Sequence, residues 1–190
     1  MNTAASEPAA AFAVWITGLP SSGKSTLAAA LARELQARRV DVAVLESDEL
    51  RTIFTPRPVY SEEERDQFYQ AMAYVGKLLV EHGVPVIFDA TANRRRYRDR
   101  ARQQIAKFFE VYVDCPLTVC MQRDPKGIYR NAKEGGAGTV PGLQAAYEPP
   151  EFPEVVVRGE RDSPEAAAQT VLSALIAKCY LRRTGCGGWI

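Results

Sequence analysis

The sequence is poor in the side chains that most often bind transition metals. It has one histidine, His82, and four cysteines in 190 residues. The cysteines share no metal-binding spacing and stand at Cys115, Cys120, Cys179 and Cys186. A zinc or iron–sulfur centre is therefore not predicted, and the thiols are typical of a chain from a reducing compartment. His82 precedes Gly83 and is interpreted as the end of a helix rather than a catalyst.

Long apolar runs and a strong net charge are also absent. No stretch approaches the ~20 apolar residues that a membrane span needs, and the formal net charge is +1. The apolar residues 9–19 follow no basic region and lead straight into a phosphate-binding motif, which is unlike a signal peptide. We therefore predict a cytoplasmic protein with no nucleic-acid or membrane partner. Residues 1–10 are predicted to be a disordered tail, and residues 11–190 a single domain.

The most informative motif runs from Gly18 to Ser25 and matches the pattern G-x-x-x-x-G-K-[ST]. The apolar residues 12–17 before it predict a buried strand, and leucines at 27, 31 and 35 predict one face of a helix after it. Together these parts direct backbone N–H groups and a helix dipole at a polyphosphate. The predicted nucleotide-binding residues are Gly18, Leu19, Pro20, Ser21, Ser22, Gly23, Lys24, Ser25 and Thr26.

This motif predicts ATP and Mg²⁺ as cofactors. Lys24 is expected to reach the β- and γ-phosphates, and the Ser25 hydroxyl to ligate Mg²⁺. Asp89, at the end of a predicted strand, is a second candidate metal ligand, with a turn-capping aspartate as the alternative. A phosphate-binding loop by itself does not separate kinases from switches, motors or other ATPases.

Strand and helix signals alternate along the chain, which predicts an α/β fold with a parallel sheet between helices, the three-layer arrangement of P-loop proteins. Strands are predicted at 12–17, 40–45, 84–88, 109–113 and 154–157, and helices at 26–35, 61–81, 94–102, 116–123 and 165–182. The Gly- and Pro-rich residues 124–153 form a long segment without predicted structure, which we interpret as a mobile lid. Because ligands bind at the carboxyl ends of parallel strands, Lys24, Asp48 and Asp89 are expected to meet at one edge.

Asp48 follows the second predicted strand, and Arg51 lies three residues further on. A carboxylate there can accept the proton of an attacking hydroxyl or hold Mg²⁺ through water, and the arginine can orient an anionic acceptor. The alternative is a helix N-cap at Asp48 with a solvated Arg51.

Several segments resemble the adenylylsulfate (APS) kinases along nearly the whole chain. That family carries the phosphate-binding loop, Asp-Gly-Asp-x-x-Arg, aromatic-Ser-x-x-Asp-Arg, Arg-Asp-Pro-Lys-Gly-Leu-Tyr and Pro-Tyr-Glu-x-Pro-x-x-Pro-Glu. The counterparts here are Glu46-Ser-Asp-Glu-Leu-Arg51, Tyr60-Ser-Glu-Glu-Glu-Arg65, Arg123-Asp-Pro-Lys-Gly-Ile-Tyr129 and Ala146-Tyr-Glu-Pro-Pro-Glu-Phe-Pro-Glu154.

The resemblance implies transfer of the γ-phosphate of ATP to the 3′-hydroxyl of APS, which gives PAPS, by a homodimer. It implies Asp48 as the proton acceptor and Lys24 as the γ-phosphate clamp. Arg51 and Arg65 would grip the phosphosulfate end of APS, and Tyr60 would stack on its adenine. In the lid region, Arg123 and Lys126 would close over ATP.

Departures from the family pattern cluster on the acceptor side. Phe68 stands where the family has an asparagine, and Val140 where it has an aromatic ring. Arg95 matches a family arginine, so it is a further candidate for acceptor binding with Phe68 and Val140. These departures leave two alternatives: a kinase of another small hydroxyl metabolite or nucleotide, and a nucleotide-binding regulatory protein.

The arginine-rich residues 94–102 are interpreted as a solvated helix face or subunit contact, with an anion or polynucleotide site as the alternative.

Overall fold

A parallel β-sheet forms the centre of the computed structural model, which describes residues 11–134 and 139–182. Within those residues the strands are β1 (Ala13–Gly18), β2 (Ala43–Glu46), β3 (Val86–Asp89), β4 (Phe108–Asp114) and β5 (Val155–Arg158). The helices there are α1 (Lys24–Ala37), α2 (Ser47–Phe54), α3 (Glu62–Glu81), α4 (Arg95–Gln104), α5 (Leu117–Arg123), α6 (Ile128–Lys133) and α7 (Pro164–Ala177). The strand order is β2-β3-β1-β4-β5. The predicted tail at 1–10 and Cys186 lie outside the described residues.

Both faces of the sheet are covered by helices. Along β1, Val14 and Ile16 belong to a core with α1 and α7, while Ala13 and Trp15 belong to a second core with α3 and α4. All residues of β1 are buried, because successive side chains of a strand point to opposite faces and here both faces are covered. The predicted three-layer α/β fold is therefore confirmed. Within the described residues, no helix is both long and apolar enough to cross a membrane.

Helix α3 begins as the sequence predicts. Ser61 is its N-cap, and the Ser61 hydroxyl accepts a hydrogen bond from the Glu64 amide over 3.1 Å. Ser163 caps α7 in the same way through the Ala166 amide. The predicted end of α7 at residue 182 is wrong, however. The helix stops at Ala177 and the chain turns back through Cys179, whose φ of +57° no helix residue adopts.

Two helices were not predicted. Helix α2 begins directly after β2 and includes Asp48, so the carboxylate lies in its first turn. Helix α6 lies inside residues 124–153, where we expected no structure; the Asp124 carboxylate accepts a hydrogen bond from the Arg130 amide near its start. Both helices are short and bury one side chain each, Arg51 and Tyr129. They are shorter than the window of about 11–18 residues over which apolar periodicity indicates a helix.

The arginines of residues 94–102 form ion pairs within the chain, and the expected solvated helix face is wrong only for the buried Arg98, since Arg96 is exposed and the other four are half-buried. Arg98 is 1 % exposed, and its guanidinium donates to the Glu110 carboxylate over 2.6 Å and to the Ala92 and Glu148 carbonyls. The remaining pairs are Arg94 with Glu62 and Glu148, Arg95 with Glu151, Arg96 and Arg100 with Asp66, and Arg102 with Glu110 and Glu154. Acidic side chains neutralise this positive charge, which argues against a polynucleotide site.

Replacing Arg98 with methionine is expected to lower the free energy of unfolding by about 3 kcal/mol, because two carbonyls and one oxygen of the buried Glu110 carboxylate lose their donor. Arg102 still pairs with the other oxygen of that carboxylate. Urea denaturation measures the loss of stability. Arg96→Met is the control, since Arg96 is 54 % exposed and pairs at the surface, where a pair contributes about 1 kcal/mol or less. Equal losses in the two variants would contradict a structural role for Arg98.

Candidate active site

The phosphate-binding loop between β1 and α1 has the backbone that its glycines allow. A Cβ at Gly18 would lie 2.6 Å from the Val113 carbonyl oxygen and 2.8 Å from the Ser22 hydroxyl. Gly23 is the N-cap of α1 with φ +108°. Because Gly23 has no side chain, it offers the first amides of α1 no competing acceptor, and those amides can bind an anion.

Lys24 crosses this loop from the start of α1. Its ammonium donates to the Leu19 carbonyl over 2.8 Å, and the side chain is largely buried. Burial lowers the pKa of Lys24, while the carboxylates of Asp89 and Asp48 act in the opposite direction. A cation that burial deprives of water gains strongly from a phosphate beside it.

A cavity of about 470 Å³ opens above the loop. Of the predicted nucleotide-binding residues, those that line it are Pro20, Ser21, Gly23, Lys24, Ser25, Thr26, Arg123 and Lys126. Gly18 and Leu19 do not line this cavity, and Ser22 lines a smaller one described below. Asp48 and Asp89 line the same cavity, as expected for the carboxyl ends of parallel strands. We call this space the donor cavity.

A second cavity, of about 310 Å³, lies beside the donor cavity. Its walls include four of the side chains that the resemblance assigns to the acceptor: Arg51, Tyr60, Arg65 and Val140. The two cavities share Pro20, Ser47, Asp48, Thr91 and Ile128. We call the second space the acceptor cavity; it meets the donor cavity at Asp48.

Asp48 faces the junction of the cavities and contacts Lys126, which belongs to the predicted lid. Its carboxylate accepts a hydrogen bond from the Lys126 ammonium over 2.6 Å, although both side chains are more than 60 % exposed. This hydrogen bond is the largest cause of the raised pKa of Lys126. The N-cap of α2 is Glu46, so the interpretation of Asp48 as an N-cap is wrong. The Asp48 carboxylate pairs with Lys126 instead of capping α2.

The two acceptor-side arginines are anchored differently. The Arg65 guanidinium donates to the Tyr60 carbonyl over 3.1 Å and to the Thr139 carbonyl over 2.6 Å, so Arg65 ties α3 to two walls of the acceptor cavity. Arg51 pairs with Glu64 at 3.3 Å and lies within 5.1 Å of the Tyr60 ring centroid. Both guanidinium groups therefore lie beside Tyr60.

Two predicted acceptor residues lie outside the acceptor cavity. Phe68 is 2 % exposed and lies behind Arg51 rather than in the wall. Arg95 pairs with Glu151 and lines a separate surface cavity near β4 and the segment before β5. Direct contact of either side chain with an acceptor in this cavity is not supported by the geometry.

Sequence reasoning missed Tyr69 and Asn131, which also line the acceptor cavity. The Tyr69 hydroxyl accepts a hydrogen bond from the Ala92 amide over 3.1 Å. Tyr69 follows Arg65 by four residues on α3, and helical spacing from that arginine would have found it. Asn131 belongs to α6, and no sequence signal placed that helix.

A smaller cavity of about 200 Å³ adjoins the loop on the side away from the acceptor. It is lined by Gly23, Thr26 and Arg123 together with Gly159 and Asp162, the last two of which were not predicted. A Cβ at residue 159 would lie 2.4 Å from the Ser22 carbonyl oxygen, so the glycine permits the end of β5 to approach the loop. The Arg123 guanidinium donates to the Gly159 carbonyl over 2.8 Å.

The oxygen donors of the donor cavity fit Mg²⁺. Asp89 lies beside Glu46 in the register of β2 and β3, and the Ser25 hydroxyl lines the same cavity. Across residues 11–134 and 139–182, no group of three or more His, Cys, Asp or Glu side chains is arranged to hold a metal. One or two oxygen ligands with substrate phosphates completing the shell is the usual arrangement for Mg²⁺, which keeps several waters.

A parallel sheet, a phosphate-binding loop at its carboxyl edge and two cavities that meet at a carboxylate define a P-loop kinase. Comparison with known proteins identifies the family. Residues 10–158 match the family model described as Adenylylsulphate kinase. The chain therefore belongs to the adenylylsulfate kinase family.

Individual relatives agree with this assignment. An adenylyl-sulfate kinase of Synechococcus sp. (strain JA-3-3Ab) is 40 % identical over 169 residues, which cover 89 % of this chain and 96 % of the relative. A probable adenylyl-sulfate kinase of Pyrococcus abyssi is 38 % identical over 85 % of this chain and 92 % of its own length. The Mycobacterium tuberculosis APS kinase CysC, in a complex with AMPPNP and APS, superposes with a TM-score of 0.82 at 32 % identity; the match covers 87 % of this chain and 97 % of that one.

Proposed function

We propose that this protein transfers the γ-phosphate of ATP to the 3′-hydroxyl of adenylylsulfate, giving PAPS and ADP. The observation that carries the proposal is the junction of the donor and acceptor cavities at Asp48. A nucleoside triphosphate bound to the loop and an anionic nucleotide beside Arg51 would meet at that carboxylate. The family membership of the chain supports the identity of both substrates.

The transfer exchanges one phosphorus–oxygen bond for another. The 3′-oxygen of the acceptor bonds to the γ-phosphorus, and the bond from that phosphorus to the β,γ-bridging oxygen breaks, so the electron pair leaves with ADP. The hydroxyl proton passes to the Asp48 carboxylate. Lys24 and the first amides of α1 stabilise the charge on the transferred group. Mg²⁺, held by Ser25 and Asp89, would neutralise charge on the phosphates.

Residues of the acceptor cavity would hold the phosphosulfate and the adenine of APS. Arg51 provides positive charge for the phosphosulfate, and Arg65 keeps Tyr60 and Thr139 in place around the base. Val140 contributes apolar contact where the family has a ring, so the adenine would stack on Tyr60 alone. When ATP binds, Lys126 can exchange Asp48 for a phosphate, which frees the carboxylate and brings the lid over the nucleotide.

The experiment that tests the proposal is ADP release from Mg-ATP with and without micromolar APS, with PAPS identified by mass spectrometry. APS-dependent turnover with one PAPS for each ADP is expected. ADP release that APS does not change would overturn the assignment to APS. Screening other hydroxyl metabolites and nucleotides would then separate a different kinase from a nucleotide-binding regulatory protein, which would turn over none of them.

Asp89→Asn is expected to raise the Mg²⁺ concentration for half-maximal activity about tenfold, because an amide is a weaker ligand for this hard cation than a carboxylate. Titrating activity against Mg²⁺ at saturating ATP measures this shift. The control is Asp99→Asn, on the exposed face of α4 away from the donor cavity. An unchanged Mg²⁺ dependence in Asp89→Asn would remove Asp89 from the metal site.

The proposal includes a cytoplasmic homodimer. The three described cysteines are free thiols, which is typical of proteins from reducing compartments. Sedimentation equilibrium would measure the mass of the assembly, and a monomer at micromolar concentration would contradict the homodimer.

A further inference from the structure

The guanidinium of Arg51 lies between two rings and a carboxylate. Its central carbon is 3.9 Å from the centroid of the Phe68 ring and 5.1 Å from that of Tyr60. One of its nitrogens is 3.3 Å from Glu64. Arg51 is 8 % exposed, yet it lines the acceptor cavity one helical turn after Asp48. The two rings and the carboxylate restrict the movement of this side chain.

Phe68 supplies a rigid surface under this guanidinium. The Phe68 ring packs edge-on against Tyr69 with centroids 5.2 Å apart, and against Phe54 with centroids 6.3 Å apart. It is almost fully buried in the core between the sheet and α3. A ring held in this way fixes the plane of a cation that lies on its face.

Glu64 fixes the same guanidinium from another direction. It precedes Phe68 by four residues on α3, so both side chains project from one face of the helix towards α2. The Glu64 carboxylate also accepts hydrogen bonds from the amides of Tyr60 and Val59, over 3.2 and 2.7 Å. Tyr60 has φ +56°, a conformation that a tyrosine seldom adopts and that these bonds help to hold. Glu64 therefore links Arg51 to the backbone of the Tyr60 wall.

We propose that Phe68 and Glu64 are positioning residues that hold Arg51 ready for the anionic end of the acceptor. The inference rests on the proposed function, since it assigns Arg51 to the phosphosulfate of APS. An arginine whose side chain moves freely loses rotamer freedom when it binds an anion, and this loss of entropy weakens binding. A side chain that packing already restrains has lost that freedom during folding, so it binds the anion more tightly. Phe68 therefore raises the affinity for the acceptor indirectly, through Arg51. The resemblance instead implies that the residue at this position contacts the acceptor directly.

The test is Phe68→Leu, which keeps an apolar side chain but removes the ring. The KM for APS is expected to rise about tenfold, while kcat and the KM for ATP stay within twofold. Glu64→Gln is expected to raise the KM for APS by a similar factor or more, because a neutral amide does not pair with the cation and its single oxygen keeps only one of the two hydrogen bonds from the Val59 and Tyr60 amides. Met72→Leu, a fully buried volume-conserving change on the same helix, is the packing control.

A double-mutant comparison separates positioning from packing. In an Arg51→Met background, Phe68→Leu should raise the KM for APS no further, since the side chain through which it acts is gone. A further rise of the same size in that background would overturn the inference, as would an unchanged KM in Phe68→Leu itself. Thermal denaturation of each variant shows which of them remain folded.

Nuclear magnetic resonance gives a readout that does not need turnover. The Nε–H proton of Arg51, assigned by its absence in Arg51→Met, should be shifted upfield by the Phe68 ring and should lose that shift in Phe68→Leu. If the wild-type protein shows the shift but does not turn over APS, the proposed function fails for APS. The inference about this acceptor then fails with it, although the packing of Phe68 on Arg51 is confirmed. If active wild-type protein lacks the shift, the inference alone is overturned.

Discussion

Replacing Asp48 with asparagine is expected to lower kcat for APS by about 10²–10⁴-fold, the range that a positioned general base contributes. The amide has the shape of the carboxylate but does not accept the proton of the attacking hydroxyl. The KM for ATP should change little, because the loop amides and Lys24 hold the phosphates. Steady-state kinetics with varied ATP and varied APS measure both parameters.

The matched control for this prediction is Glu49→Gln. Glu49 follows Asp48 on α2 and loses the same charge, but it is exposed and does not line either cavity. It should retain wild-type kcat. An Asp48→Asn variant that keeps more than a tenth of wild-type turnover would remove Asp48 from the role of base. Such a result would leave the phosphate-binding loop in place and direct the search for a base to the other carboxylates that line the donor cavity, Glu46 and Asp89.

The donor side of the site could be predicted because its signals are local. The loop from Gly18 to Ser25 lies between a buried strand and an amphipathic helix, and each part of that signal is adjacent in sequence. Asp89 was found for a related reason: parallel strands end at one edge, so an acid at a strand end is placed by topology alone. The fold class followed from the same alternation of strands and helices.

The acceptor side could not be predicted in the same detail, because it depends on packing between segments far apart in sequence. Arg95 aligns with a family arginine, yet its partner is Glu151, 56 residues further on. Phe68 occupies a position that the resemblance gives to direct contact, and only the stacking on Arg51 shows that the ring lies behind the wall. Local periodicity carries no information about which charges meet across the fold.

Two lysines border the donor cavity, and their variants should differ sharply. Lys24→Met is expected to lower kcat about 10²–10³-fold, because it removes a largely buried cation from the point where charge develops on the transferred group. It should also raise the KM for ATP, since the lysine contacts the phosphates of bound nucleotide as well.

Lys126→Met is expected to lower kcat by about tenfold or less, which corresponds to ~1.4 kcal/mol or less in the activation free energy. Lys126 is 62 % exposed and solvent screens its charge, so a phosphate gains less from it than from Lys24. The substitution also removes the hydrogen bond from Lys126 to the Asp48 carboxylate. The carboxylate is then free to accept the hydroxyl proton, which partly offsets the weaker binding of ATP. Measuring kcat for both variants at saturating ATP and APS tests this ranking. If Lys126→Met lowered kcat more than Lys24→Met does, closure of the lid would lower the activation barrier more than the charge of Lys24 does.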